Sequence, residues 1–209
     1  MSRIRIKFCG ITREEDALLA ADLGVDALGF VFSRRSGRFI EPEQAALICR
    51  RLPPMVSKVA LFMDDDPAWI RAVLSAFPPH LLQFHGSENA LDCAATGFPY
   101  IKAVPMASIT DVASYATAYP EAAALLLDAH VVGEPGGQGT RFDWSRRVQV
   151  AQALILAGGL DAGNVAEAIR CMRPFAVDVS SGIEASAGVK DPARMRAFVE
   201  AVRGVEHER

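Results

Sequence analysis

No C-x-x-C pair occurs in the sequence. Cys9, Cys49, Cys93 and Cys171 are the only cysteines, and they stand far apart. That spacing argues against a cysteine metal cluster and for free thiols, with the cytoplasm as the expected compartment. No apolar stretch approaches the roughly 20 residues of a membrane helix; among the longest is residues 122–127. The opening Met-Ser-Arg-Ile-Arg-Ile-Lys-Phe-Cys lacks the apolar core of a signal peptide. There is no long basic run and the formal net charge is −3, so nucleic acid is not an expected partner. His80, His85, His130 and His207 form no ligand pattern, and no metal site is expected. No Pro/Ser/Gly linker divides the chain, which predicts one domain over residues 1–209.

What is present is apolar and periodic. Hydrophobic residues make up 51% of the chain and charged residues 22%, enough for a large core. Short β-branched or apolar runs predict strands over 4–9, 26–31, 57–62, 80–84, 100–104, 123–128, 153–157 and 176–179. Ala/Leu/Arg/Glu-rich segments predict helices over 13–23, 42–51, 67–76, 87–95, 108–116, 143–150, 161–172 and 191–203. Strict alternation of strand and helix implies a parallel sheet. Eight evenly spaced units favour closure into an α/β barrel of the (β/α)8 TIM type over an open, doubly wound sheet. Two connections are long, 32–41 and 129–142. Both lie on the strand-to-helix side, where barrels of this kind build their sites.

Alternation along the first strand puts Ile4, Ile6 and Phe8 on one face and Arg5, Lys7 and Cys9 on the other. If the apolar face meets the helices, Lys7 and Cys9 point into the barrel. Two readings of Cys9 stay open, a small buried hydrophobe and a catalytic thiol; the other three cysteines read as packing residues. Asp128 ends the sixth strand as a carboxylate on a buried run, either a turn residue or a functional acid. Asp178, on the face it shares with Ser180, reads as an ion-pair partner for Lys7. Gly158-Gly159 and Ser180-Ser181-Gly182 follow the seventh and eighth strands, where barrels often cradle a phosphate on backbone N–H groups. Arg34, Arg35 and Arg38 follow the second strand as either a solvated rim or a carboxylate site.

Lys7-Phe8-Cys9-Gly10-Ile11-Thr12 resembles the opening motif of the phosphoribosylanthranilate isomerases. The resemblance continues through Gln83-Phe84-His85-Gly86, Leu127-Asp128, Gly136-Gly137-Gln138-Gly139 with Phe142-Asp143-Trp144, and Leu156-Ala157-Gly158-Gly159-Leu160. Asn164-Val165, Val177-Asp178-Val179-Ser180-Ser181-Gly182-Ile183-Glu184 and Gly188-Val189-Lys190-Asp191 complete it, so it spans nearly the whole chain. The resemblance implies a (β/α)8 barrel that carries out an Amadori rearrangement without a cofactor in tryptophan biosynthesis. Its substrate would be the small molecule N-(5-phosphoribosyl)anthranilate. Cys9 would be the general base, Asp128 the general acid and Arg38 the contact to the anthranilate carboxylate. Gly158, Gly159, Ser180, Ser181 and Gly182 would bind the phosphate. A monomer or weak homodimer is expected.

That chemistry needs Cys9 as thiolate and Asp128 as neutral acid, and Lys7 is expected to favour the thiolate. The related isomerase of histidine biosynthesis uses aspartate where this sequence has Cys9. A non-catalytic phosphosugar sensor on the same barrel would lose the acid–base pair, which is retained here.

Overall fold

In a computed structural model of the chain, residues 3–129, 142–146 and 148–207 are described. The eight strands are β1 (Arg5–Cys9), β2 (Ala27–Val31), β3 (Ser57–Phe62), β4 (Leu81–Phe84), β5 (Tyr100–Pro105), β6 (Ala124–Asp128), β7 (Ala153–Leu156) and β8 (Ala176–Val179). All pair in parallel with their sequence neighbours, and β1 pairs with β8 to close the barrel. Around them lie α1 (Glu14–Asp22), α2 (Pro42–Cys49), α3 (Pro67–Ala76), α4 (Ala90–Ala94), α5 (Val112–Ala118), α6 (Val165–Met172) and α7 (Pro192–His207). This is the (β/α)8 architecture that the alternation predicts.

Side-chain alternation divides the core in two. Ile6, Phe8, Phe30, Phe62, Phe84, Leu125, Leu127 and Val177 face outward and pack with helix residues such as Ile169, Met195 and Phe198. Val59, Ile101, Ala103, Leu126, Ile155 and Ala176 fill the barrel interior. Cys9, Val31 and Leu61 form a separate apolar cluster at the strands' C-terminal ends. Helix starts carry their own signals. Pro67 follows Asp66, whose carboxylate accepts the Ala68 N–H at 2.7 Å, and Asn89 accepts the Asp92 N–H at 3.0 Å.

Two expectations fail locally. The predicted helix over 143–150 is absent among the described residues. Asp143 accepts the Ser145 N–H at 2.9 Å in an Asx turn, and the Arg146 guanidinium donates to the carbonyls of Met106, Ile109 and Thr110. Local side-chain-to-backbone bonding there replaces the helical ladder. The sequence reading also missed an antiparallel hairpin, β9 (Glu184–Ser186) with β10 (Val189–Lys190), after a short 3-10 turn (Ser181–Ile183). Gly188 (φ +79°) makes its turn in a backbone region that disfavours side chains.

Candidate active site

A cavity of about 340 Å³ opens at the C-terminal ends of the strands, lined in part by Cys9, Arg38, Asp128, Asp178 and Ser180. The barrel twist brings these residues from β1, β6, β8 and the β2–α2 connection to one mouth. Loop residues 133–139 and His130 lie outside the described residues.

Cys9 and Lys7 sit side by side above Gly29 of β2. A Cβ built on Gly29 would stand 2.8 Å from the Cys9 sulfur and 3.1 Å from Lys7 Nζ, so the missing side chain makes room for both. Lys7 Nζ lies 2.9 Å from Asp178 Oδ1, both side chains being buried. The register Lys7↔Asp178 between β1 and β8 makes this ion pair. Burial opposes charge on Lys7, but Asp178 and Cys9 together overcome it and hold the ammonium above its ordinary pKa. Burial pushes the Cys9 thiol up. The Lys7 and Lys190 charges pull it down without overcoming burial, and Asp178 adds to the rise. Lys7 thus favours the thiolate as its position implies, but the net shift runs the other way.

Asp128 is buried at the end of β6, with Oδ2 3.2 Å from His85 Nε2. Gln83 Nε2 lies 3.2 Å from His85 Nδ1. With the Gln83 amide donating, His85 would carry its proton on Nε2, the nitrogen nearer Asp128. Sequence reading assigned His85 no part here. Its signal was the alternation in β4, which turns Gln83 and His85 to the same face.

Arg38 reaches the cavity across Gly10 (φ +76°), where a Cβ would stand 2.6 Å from Arg38 Cδ. Its guanidinium forks onto Glu184, with Nε to Oε1 at 2.9 Å and Nη2 to Oε2 at 2.7 Å. Arg35 also lines the cavity and donates to the Met63 carbonyl at 2.6 Å. Arg34 turns away, stacking 4.3 Å from the Trp69 ring centroid. The run therefore divides into one rim residue and two wall residues.

Gly158 and Gly159 follow β7 with φ of +79° and +63°. Asn164 Nδ2 holds the Gly159 carbonyl at 2.9 Å, and a Cβ on Gly158 would stand 2.6 Å from the Ala129 nitrogen. Ser180 Oγ donates to the Cys9 carbonyl at 3.1 Å. Gly182 packs against the Leu160 carbonyl too closely for any side chain, which ties the loop after β8 to the loop after β7.

The other thiols lie elsewhere. Burial pushes Cys49 and Cys93 up to about 12, while Cys171 is exposed rather than packed. Among the described residues, no group of three or more His, Cys, Asp or Glu is arranged to hold a metal, and no helix is long and apolar enough to cross a membrane.

Comparison with known proteins supplies the family. The model of the family described as N-(5'phosphoribosyl)anthranilate (PRA) isomerase matches residues 6–201. The N-(5'-phosphoribosyl)anthranilate isomerase of Pseudomonas aeruginosa strain UCBPP-PA14 is 50% identical over 204 residues, 97% of each chain. The crystal structure of phosphoribosyl anthranilate isomerase from Thermotoga maritima superposes with a TM-score of 0.84 at 40% identity, covering 96% of this chain and 99% of that one. A phosphoribosyl anthranilate isomerase in complex with reduced 1-(o-carboxyphenylamino)-1-deoxyribulose 5-phosphate gives 0.80 at 38% identity, with the same coverage. The chain belongs to the N-(5'-phosphoribosyl)anthranilate isomerase family.

Proposed function

We propose that this isomerase converts N-(5'-phosphoribosyl)anthranilate to 1-(o-carboxyphenylamino)-1-deoxyribulose 5-phosphate, with Cys9 as general base and Asp128 as general acid. The observation that carries the assignment is that a thiol and a carboxyl, from strands on different sides of the barrel, line one cavity with Arg38 and Ser180.

The substrate is a closed ribosylamine. Asp128 donates its proton to the ring oxygen as the C1'–O bond breaks, and the nitrogen lone pair forms the C1'=N bond. The resulting iminium acidifies C2'. The Cys9 thiolate takes the C2' proton, and the freed electron pair moves toward nitrogen to give the enolamine. The enolamine tautomerises to the ketone, so the isomerisation is redox-neutral overall. Each well-placed acid or base contributes roughly 10²–10⁴-fold. Arg38 holds the anthranilate carboxylate. The backbone of Gly158, Gly159, Ser180, Ser181 and Gly182 holds the phosphate. Together these two anchors keep the flexible open-chain intermediate within reach of both catalytic groups.

The thiol's upward shift means that little thiolate is present in the empty enzyme at neutral pH. The iminium arises only after ring opening, and its positive charge beside Cys9 then adds to those of Lys7 and Lys190 in favouring the negative sulfur. Residues 1–209 work as one domain, in the cytoplasm, as a monomer or weak homodimer. The test is the fluorescence decay of N-(5'-phosphoribosyl)anthranilate, with the histidine-pathway substrate run beside it. Turnover of the first is expected; turnover of the second alone would overturn the assignment.

A further inference from the structure

We propose that Glu184 is a positioning residue, which aims the Arg38 guanidinium at the substrate carboxylate and, through Lys190, fixes the backbone that carries Cys9. This rests on the reading of Arg38 and Cys9 given above.

Both Glu184 oxygens are engaged. Oε2 accepts Arg38 Nη2 at 2.7 Å, while Oε1 accepts Arg38 Nε at 2.9 Å, Lys190 Nζ at 2.8 Å and the Gly188 N–H at 3.2 Å. Lys190 Nζ also donates to the Cys9 carbonyl at 2.6 Å. An unbroken chain of charge-assisted bonds thus runs from the carboxylate-binding arginine to the main chain of the base. Its two middle members, Glu184 and Lys190, sit on the β9–β10 hairpin that the sequence reading missed.

Two features separate this from an ordinary structural ion pair. The first is geometric. Glu184 occupies the Nε/Nη2 edge of the guanidinium, which leaves the Nη1 donors and the second Nη2 hydrogen for another anion. Arg38 lines the cavity, so the remaining edge is the one a substrate carboxylate would meet. The second is electrostatic. One carboxylate faces two basic groups. Burial and Arg38 pull the Lys190 pKa below its ordinary value although Glu184 favours its charge, so the Arg38 guanidinium is the lasting positive charge beside the cavity. A buried pair adds little stability compared with apolar packing, but it does specify geometry when fully hydrogen-bonded. Burial would raise the Glu184 carboxyl; Arg38 and Lys190 overcome that and hold it below its ordinary range, so it stays charged at neutral pH.

A double-mutant cycle on the full-length enzyme tests this. Glu184→Gln keeps the shape and removes the charge. In the wild-type background it is expected to raise KM for N-(5'-phosphoribosyl)anthranilate about 10-fold, the size of one charge-assisted hydrogen bond, with a smaller fall in kcat. In an Arg38→Ala background the same substitution is expected to change KM less than about 2-fold, because its route to the substrate is gone. Lys190→Met is expected to lower kcat while leaving KM closer to wild type, and a folded Lys190→Met enzyme with wild-type kcat overturns the link to Cys9. Should Glu184→Gln not fold, Glu184→Asp takes its place in the cycle, keeping the charge and shortening the reach. A folded Glu184 variant with wild-type KM, or one with equal effects in both backgrounds, overturns the proposal. If Arg38→Ala itself leaves KM unchanged, the reading of Arg38 fails and the brace fails with it. If Arg38→Ala raises KM and the Glu184 variants do not, the brace alone fails.

Discussion

Gly29 and Cys9 are register partners on neighbouring strands, and the cysteine sulfur occupies the space where a side chain at position 29 would begin. The base is therefore placed by an absence on β2 as much as by its own strand. Gly29→Ala would set a methyl 2.8 Å from the sulfur and 3.1 Å from Lys7 Nζ. Overpacking of this kind costs about 1–3 kcal/mol, and a base displaced by a fraction of an ångström loses its line to the proton. The expected outcome is a fall in kcat of roughly tenfold or more with KM little changed. Steady-state kinetics and a thermal melt on the same sample check it; unchanged kcat in a folded variant would count against the placement of Cys9.

The three arginines after β2 should separate. Arg38→Ala should raise KM by about tenfold or more, since one charge-assisted bond is worth about 1.5–3 kcal/mol, with a smaller loss in kcat. Arg34→Ala should change neither constant by more than about 2-fold, because its guanidinium stacks on Trp69 away from the cavity and exposed contacts of this type are worth about 0.5–1 kcal/mol. Arg35→Ala should fall between them, because Arg35 lines the cavity wall. Steady-state kinetics on the three single variants decide this, and equal effects at all three would return the run to a solvated rim.

The pH dependence of Cys9 follows from its burial. A raised thiol pKa means that the reactive thiolate is scarce at pH 7 and grows as pH rises. Iodoacetamide labelling of the empty enzyme, read by mass spectrometry on the Cys9 peptide, should climb with a midpoint above the ordinary thiol value of about 8.5. Lys7→Met should move that midpoint higher, since it removes a charge that favours the thiolate. A wild-type midpoint below about 8.5 would mean that Lys7 outweighs burial.

Much of this was legible in the sequence because it is local. The run Ala-Ala-Leu-Leu-Leu-Asp at 123–128 reads as a buried strand ending in an acid, and Lys7-Phe8-Cys9-Gly10 reads as a strand whose alternate side chains face inward. What stayed hidden depends on which loops meet at the barrel mouth. Arg38 and Glu184 are 146 positions apart, and no pattern along either segment announces that one carboxylate will fork onto that guanidinium. His85 was visible as a histidine at a strand end, but its approach to Asp128 depends on the relation of β4 to β6 across the barrel. The predicted helix over 143–150 failed for the opposite reason. Its helical composition was read correctly, while the Asp143–Ser145 Asx turn and the three carbonyls held by Arg146 settle that segment in another conformation.

The division of labour between Cys9 and Asp128 is tested most directly by kcat in the Cys9→Ala and Asp128→Asn variants, each prepared free of contaminating host isomerase. Binding of reduced 1-(o-carboxyphenylamino)-1-deoxyribulose 5-phosphate is measured in parallel. Each substitution is predicted to lower kcat by roughly 10²–10⁴-fold or more, while the ligand still binds within a fewfold of wild type. A Cys9→Ala enzyme with near-normal kcat would contradict the account and leave Cys9 as a packing residue.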